Sequence, residues 1–216
     1  MRLRGFHDER GFTLTELLVA CAMIGVVMAG LLSILQSGQQ SYLTGSNQVE
    51  AQQSLRLAML RVTGELRDAG YCPTCTGGAP PFTALSSISA TGFTIQNDWN
   101  GDGISSTGTV NQVVTAMDGA TSTVTRGERI VYALEGNNLT RREMGVDAAG
   151  VPVVMNLAFL TFTYRDADGN VTATAGDVRT VMVSAIGQPE VQAASFAGGR
   201  VQVAMTDSVR LRNRAQ

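Results

Sequence analysis

From Leu17 to Leu35 the chain runs nineteen residues without a charge, and no other stretch restricts its fold so tightly. A helix rises about 1.5 Å per residue, so about 20 apolar residues cross the hydrocarbon core of a bilayer. The competing reading is the buried core helix of a soluble protein. Position argues against it, because the run follows a short N-terminal segment holding Arg2, Arg4 and Arg10. Basic flanks stay cytoplasmic, so the chain after Leu35 is expected on the far side of the membrane. Asp8 and Glu9 dilute that signal without reversing it.

Glu16 stands at the start of this run. A carboxylate within a membrane segment costs roughly 2.5–3.5 kcal/mol on insertion scales, so it requires a partner. Ahead of it lies Gly11-Phe12, and no Ala-x-Ala cleavage signal follows the apolar residues. A secretory signal peptide is cut behind its apolar region. A cut after Gly11 instead keeps the anchor and creates an amine at Phe12, one turn from Glu16. Glu16 would neutralise that amine or a neighbouring subunit's, and between stacked subunits would set the axial register.

Arg10-Gly11-Phe12-Thr13-Leu14-Thr15-Glu16-Leu17-Leu18-Val19 resembles the class III signal of type IV prepilins and type II secretion pseudopilins. The resemblance implies that a prepilin peptidase cuts between Gly11 and Phe12 and methylates the Phe12 amine. It also implies an inner-membrane protein crossing once, N-terminus cytoplasmic and head periplasmic, that later enters a filament. Many major pilins carry a kinking proline in mid-anchor, whereas the stretch around Ser33 has none. That departure leans towards a minor pilin or a pseudopilin.

Charge and residue usage exclude much else. The net charge of the 216 residues is −2, of which the leader accounts for +1, so residue 12 onward carries −3. No electrostatic footprint for nucleic acid is indicated. There is no lysine, and His7 in the leader is the only histidine. A mature chain lacking both residue types hosts no Ser-His-Asp triad, Ser-Lys dyad or histidine-ligated metal, and the expectation is a non-enzyme.

Past Leu35 the chain turns polar but keeps a helical pattern. Leu55, Met59, Val62, Leu66 and Ala69 recur at steps of four and three, an apolar stripe for packing against one surface. Arg56, Glu65, Arg67 and Asp68 lie off the stripe, and Gly70 is placed to end the helix. A flexible linker over Gly38 to Asn47 is the alternative, since that segment is a poor helix former. Strand signals follow. Phe93-Thr94-Ile95 alternates; Arg129–Leu134 and Leu139–Arg141 flank the turn residues Gly136-Asn137-Asn138; and Leu157–Tyr164 pairs with Val178–Ile186 across Asp166-Ala167-Asp168-Gly169-Asn170. A last strand runs from Arg200 to Arg212. The expected fold is α+β and pilin-like: a long N-terminal helix packed on one antiparallel sheet of about five to seven strands. The divisions are a leader (1–11), a membrane or filament-core helix (12–35), an amphipathic helix (36–70) and a β-rich periplasmic head (71–216).

Two features of the head carry possible chemistry. Cys72 and Cys75 form a C-x-x-C pair, which reads as a redox dithiol, half a zinc site or a tight disulfide. The remaining cysteine, Cys21, lies in the anchor, and an oxidising compartment favours the disulfide. Asp98-Trp99-Asn100-Gly101-Asp102-Gly103 matches the first half of a calcium loop. Asp98, Asn100 and Asp102 are the side-chain ligands there, and the Ile104 carbonyl is the fourth. The twelfth position is Thr109 instead of Glu, with Glu128 a distant substitute, and an ordinary Asn-Gly/Asp-Gly turn uses the same letters.

Glu128–Tyr132, Phe162–Gly169 and Val209–Asn213 resemble the head of minor pilins of the PilW type and are similar to J-type pseudopilins. The resemblance implies a subunit that helps initiate pilus assembly, partnered by other minor and major pilins and by the inner-membrane assembly platform. Pseudopilins share every physical feature named so far. A membrane-anchored binding module, adhesin or calcium-binding, is the alternative of another class; it needs neither the cut after Gly11 nor Glu16.

Overall fold

The computed structural model describes residues 11–75, 80–189 and 201–213. The leader up to Arg10, with His7, and the start of the last expected strand at Arg200 lie outside them. One helix, α1, covers Leu14–Asp68, and the chain divides into two compact units, Met1–Gly45 and Ser46–Gln216.

In the first unit α1 opens on Thr13 and carries the uncharged run with its side chains exposed, none of the apolar window being buried in protein. It is long and apolar enough to cross a membrane. Gly25, Gly30, Gly38 and Gly45 each weaken a helix by about 1 kcal/mol relative to Ala. They do not break it, and no proline precedes Pro73. Gly38 to Asn47, where a linker was the alternative, is helical.

In the second unit the stripe packs as its spacing dictates. Leu55, Met59, Val62, Leu66 and Ala69 are all buried, together with Ala51 and Ala58 one turn away. Among the described residues the head holds ten strands in three antiparallel sheets, where one sheet of five to seven strands was expected. The largest sheet contains β1 (Leu85–Ser89), β2 (Gly92–Gln96), β5 (Arg129–Glu135), β6 (Asn138–Glu143) and β7 (Val151–Val154), in the order β1-β2-β5-β6-β7. A second contains β8 (Leu157–Arg165), β9 (Thr180–Gly187) and β10 (Val203–Arg210), with β9 central. The third is a ribbon of β3 (Thr109–Thr115) and β4 (Thr121–Gly127).

Both expected hairpins form. Tyr132 faces Arg141 across β5–β6, and Phe162 faces Val183 across β8–β9. β9 starts at Thr180 instead of Val178; Arg179 still donates its N–H to the Arg165 carbonyl at 2.7 Å. The two larger sheets meet where Phe162 donates its N–H to the Ala90 carbonyl at 2.9 Å. There Phe93 stacks edge-on against Phe162, ring centres 4.9 Å apart, and lies 5.2 Å from Tyr132. The buried Tyr164 hydroxyl donates towards the carbonyls of Ser89 and Gly92, 2.8 and 2.9 Å away. Burial raises that phenol's pKa, partly offset by the Ser89 bond.

Gly70 ends the helix in the left-handed region, φ +81°. A Cβ there would lie 2.8 Å from the Asn213 carbonyl oxygen and 2.9 Å from the Ala84 methyl, so space as well as backbone demands glycine. The Asn213 amide donates to the Asp68 carbonyl at 3.1 Å, satisfying one of the helix's last acceptors.

Candidate functional site

The segment expected to be processed, around Gly11 and Phe12, is built on a helix start. Thr13 caps α1: its hydroxyl accepts from the Glu16 N–H at 3.3 Å, while Glu16 Oε2 accepts from the Thr13 N–H at 2.9 Å and its hydroxyl at 2.8 Å. This is the reciprocal Thr-x-x-Glu box that satisfies otherwise orphaned N–H groups of a first turn. Those four letters were in the sequence, but reading Glu16 as a partner for an amine, and not also as a helix cap, missed them. Both contacts to Thr13 use Oε2. Among the described residues Oε1 takes no bond, and Phe12 next to the box is 91% exposed. Gly11 and Phe12 are therefore accessible to an enzyme, and one Glu16 oxygen is open to a cation.

A second carboxylate of α1, Glu65, lies off the apolar stripe yet is only partly exposed. Its oxygens accept from Arg141 Nε at 2.9 and 3.1 Å and from the Tyr132 hydroxyl at 2.8 Å. Arg141 also donates to Glu143 Oε2 at 2.9 Å and approaches Asp147 Oδ2 at 3.6 Å. Burial works against the Arg141 charge, but the Glu143 bond and the charges of Glu65 and Glu143 outweigh it and raise its pKa. Burial first, then the Glu65 charge and hydrogen bond, raise the Tyr132 phenol above its ordinary range.

Beyond the helix, Cys72 and Cys75 are joined by a disulfide, with Cα atoms 5.4 Å apart. Cys21 is free and exposed on α1. The disulfide turn packs on the Asp98 loop: Asp98 donates its N–H to the Tyr71 carbonyl at 2.8 Å, and Tyr71 and Trp99 rings lie 5.0 Å apart. The Arg126 guanidinium covers Trp99 at 3.9 Å.

Asp98 is fully buried, and its oxygens accept from the N–H groups of Gly101 (2.7 Å), Asp102 (3.1 Å) and Gly103 (2.8 Å). Asn100 Oδ1 accepts from the Asp102 N–H, and Asp102 Oδ1 from the Ile104 N–H. The structure thus brings Asp98, Asn100 and Asp102 into one curl, closed by the loop's own donors. Glu128, also fully buried, bridges it by accepting from the Trp99 N–H at 2.9 Å and the Ser106 N–H at 2.8 Å. Thr109 has passed into β3. Among the described residues no three His, Cys, Asp or Glu side chains gather as a metal site.

The profile of the prokaryotic N-terminal methylation motif matches residues 7–32, which contain the whole capping box. Residues 7–32 are thus similar to the N-terminal segment of methylated prepilins, and they open an α+β architecture in which one long helix precedes antiparallel sheets. It is similar to prepilin peptidase-dependent protein B of Escherichia coli (strain K12), 34% identical over 70 residues, or 32% of this chain. The match spans 37% of that protein's length.

Proposed function

We propose that the chain is a minor pilin, a structural subunit that helps initiate type IV pilus assembly once prepilin peptidase has cut between Gly11 and Phe12. The observation that carries this reading is the register of Gly11, Phe12 and Glu16 at the open end of an apolar helix. The name of the E. coli relative, which states dependence on prepilin peptidase, supports the same processing here. After the cut the Phe12 amine is methylated, and Glu16 offers Oε1 to it or to a neighbour's amine. The anchor stays in the inner membrane with the head periplasmic until other minor and major pilins and the assembly platform take the subunit into the filament. The mass of the mature N-terminus tests this. A chain beginning at methylated Phe12 upholds it, and an intact Met1 in cells that hold the peptidase overturns it. Loss of twitching motility on deletion distinguishes a pilus subunit from a pseudopilin, whose deletion abolishes secretion instead.

The Asp98 loop carries a smaller proposal, weak calcium binding by Asp98, Asn100, Asp102 and the Ile104 carbonyl. Without a closing bidentate carboxylate the affinity belongs to the roughly 10⁻⁴–10⁻³ M range of extracellular modules. Millimolar calcium would then stabilise the protein by about 1 kcal/mol through mass action. Melting should rise in calcium relative to chelator, and Asp102→Ala should remove the difference. Equal melting of the wild type in both makes the loop a turn and nothing more.

A further inference from the structure

Asn100-Gly101 is the one Asn-Gly step in the chain, and Asp102-Gly103 follows at once. Such steps are chemically weak because glycine leaves its amide nitrogen unshielded. The nitrogen attacks the preceding side-chain carbonyl carbon and closes a five-membered imide. At Asn100 the Gly101 N–Cγ bond forms, the Cγ–Nδ2 bond breaks, and ammonia leaves with the amide proton. At Asp102 the carboxylic-acid form reacts in the same way: the Gly103 N–Cγ bond forms, the Cγ–OH bond breaks, and water leaves with the amide proton. Solvent water then opens either imide to aspartate or isoaspartate, so Asn100 gains a negative charge and each isoaspartate lengthens the backbone.

Both attacking nitrogens are bound to the same buried group. Gly101 N–H donates to Asp98 Oδ1 at 2.7 Å, and Gly103 N–H to Asp98 Oδ2 at 2.8 Å. The electrophiles are held as well. The Asn100 amide accepts from the Asp102 N–H at 3.1 Å and donates to Asp102 Oδ2 at 2.9 Å. Asp102 Oδ1 accepts from the Ile104 N–H at 2.8 Å. A nitrogen tethered to one carboxylate and a carbonyl tethered to another cannot freely reach the attack geometry that the imide requires. Behind Gly101 the disulfide turn closes the loop, since a Cβ there would lie 3.0 Å from Thr74 Cγ2. We infer that Asp98 guards a latent self-modification site, holding Gly101 and Gly103 away from the Asn100 and Asp102 carbonyl carbons.

The head supplies its own controls. Asp118-Gly119 and Asp168-Gly169 lie in exposed turns whose glycine N–H groups donate only to the backbone carbonyls of Ala116 and Asp166, at 3.0 and 3.3 Å. The experiment ages the full-length protein in detergent, at mildly alkaline pH for Asn100 and at mildly acidic pH for the three Asp-Gly steps, and follows all four by peptide mass spectrometry with isoaspartate detection. The wild type is compared with Asp98→Asn, Asp98→Ser and the wild type in urea. Folded wild type should modify Asn100 at least about tenfold more slowly than the unfolded chain. Whichever Asp98 variant keeps the wild-type circular dichroism should modify Asn100 and Asp102 faster, towards the unfolded rate, with Asp118 and Asp168 unchanged. Equal Asn100 rates in folded and unfolded wild type overturn the inference. So does a folded variant in which Asn100 and Asp102 age at wild-type rates. If neither variant folds, acceleration at Asn100 and Asp102 in a folded Cys72→Ser/Cys75→Ser protein, which loosens the turn behind Gly101, upholds it, and wild-type rates there overturn it.

Discussion

Glu16 and Glu65 are the same residue on the same helix, and the protein treats them in opposite ways. Glu16 is bound by a residue three positions away, exposed, with one oxygen open. Glu65 touches Arg61 one turn back at 3.5 Å, but its short bonds come from Tyr132 and Arg141, 67 and 76 positions on in neighbouring strands. A carboxylate whose partner is local keeps its charge available for another molecule. One whose partners are distant spends its charge on joining the helix to the sheet. Altering Glu65 should therefore register in stability, and altering Glu16 in assembly.

Removing Arg141 tests the stability side most severely. Arg141→Met leaves Glu143 and Asp147 without their cation and Glu65 with only the longer Arg61 contact at 3.5 Å, while filling much of the same volume. Taking one member from a largely buried pair costs about 3 kcal/mol, and the urea midpoint should fall accordingly. An unchanged midpoint would make the network ornamental and erase the contrast with Glu16.

A smaller effect comes from pH. The Tyr132 and Tyr164 phenols have folded-state pKa values raised above the ordinary value of about 10. Such a group contributes its full stabilisation below the unfolded pKa and loses it as pH rises towards the folded one. Stability should thus be flat for these tyrosines up to about pH 10 and fall above it, by at most about 1.4 kcal/mol per pH unit for each. Tyr132→Phe should lower stability at neutral pH, through the lost Glu65 bond, and roughly halve the alkaline slope. Denaturation midpoints between pH 8 and 11 measure both.

Least visible in melting is Glu16→Ala. The capping box is exposed and confined to the first turn, so the head's unfolding should shift by less than about 0.5 kcal/mol. Its effect belongs elsewhere: cleavage and insertion persist while incorporation of this subunit into filaments drops. Normal incorporation of the variant would remove Glu16 from assembly and leave it only a cap.

The same contrast explains what could be read from the letters. The stripe from Leu55 to Ala69, the Gly70 stop and the turns at Gly136 and Asp166 are local patterns, and all took their expected form. Thr13 to Glu16 was equally local and was overlooked. The ribbon β3–β4 had its signal too, Asp118-Gly119 between β-branched residues, lost among the frequent Thr and Gly of that stretch. The division into three sheets depends on which strand edges meet, and no spacing records that. Glu65 looked like a surface residue because its distance from the stripe says nothing of Arg141. Glu128 was considered as a ligand for an ion; its actual partners are two backbone N–H groups, invisible in any side-chain pattern.

The tie between Asn213 and the Asp68 carbonyl spans 145 positions. It gives the protein a timetable. The helix emerges from the ribosome early, yet the group that finishes its last turn comes with β10, long after the anchor residues. Until that segment has been made, the Asp68 carbonyl lacks this donor, and of the two atoms nearest a Cβ at Gly70 only the Ala84 methyl is in place. The head therefore closes late and from its far end, slow in the manner of folds dominated by distant contacts. For the membrane-anchored subunit proposed above, that delay would keep the apolar helix unentangled while it is being threaded.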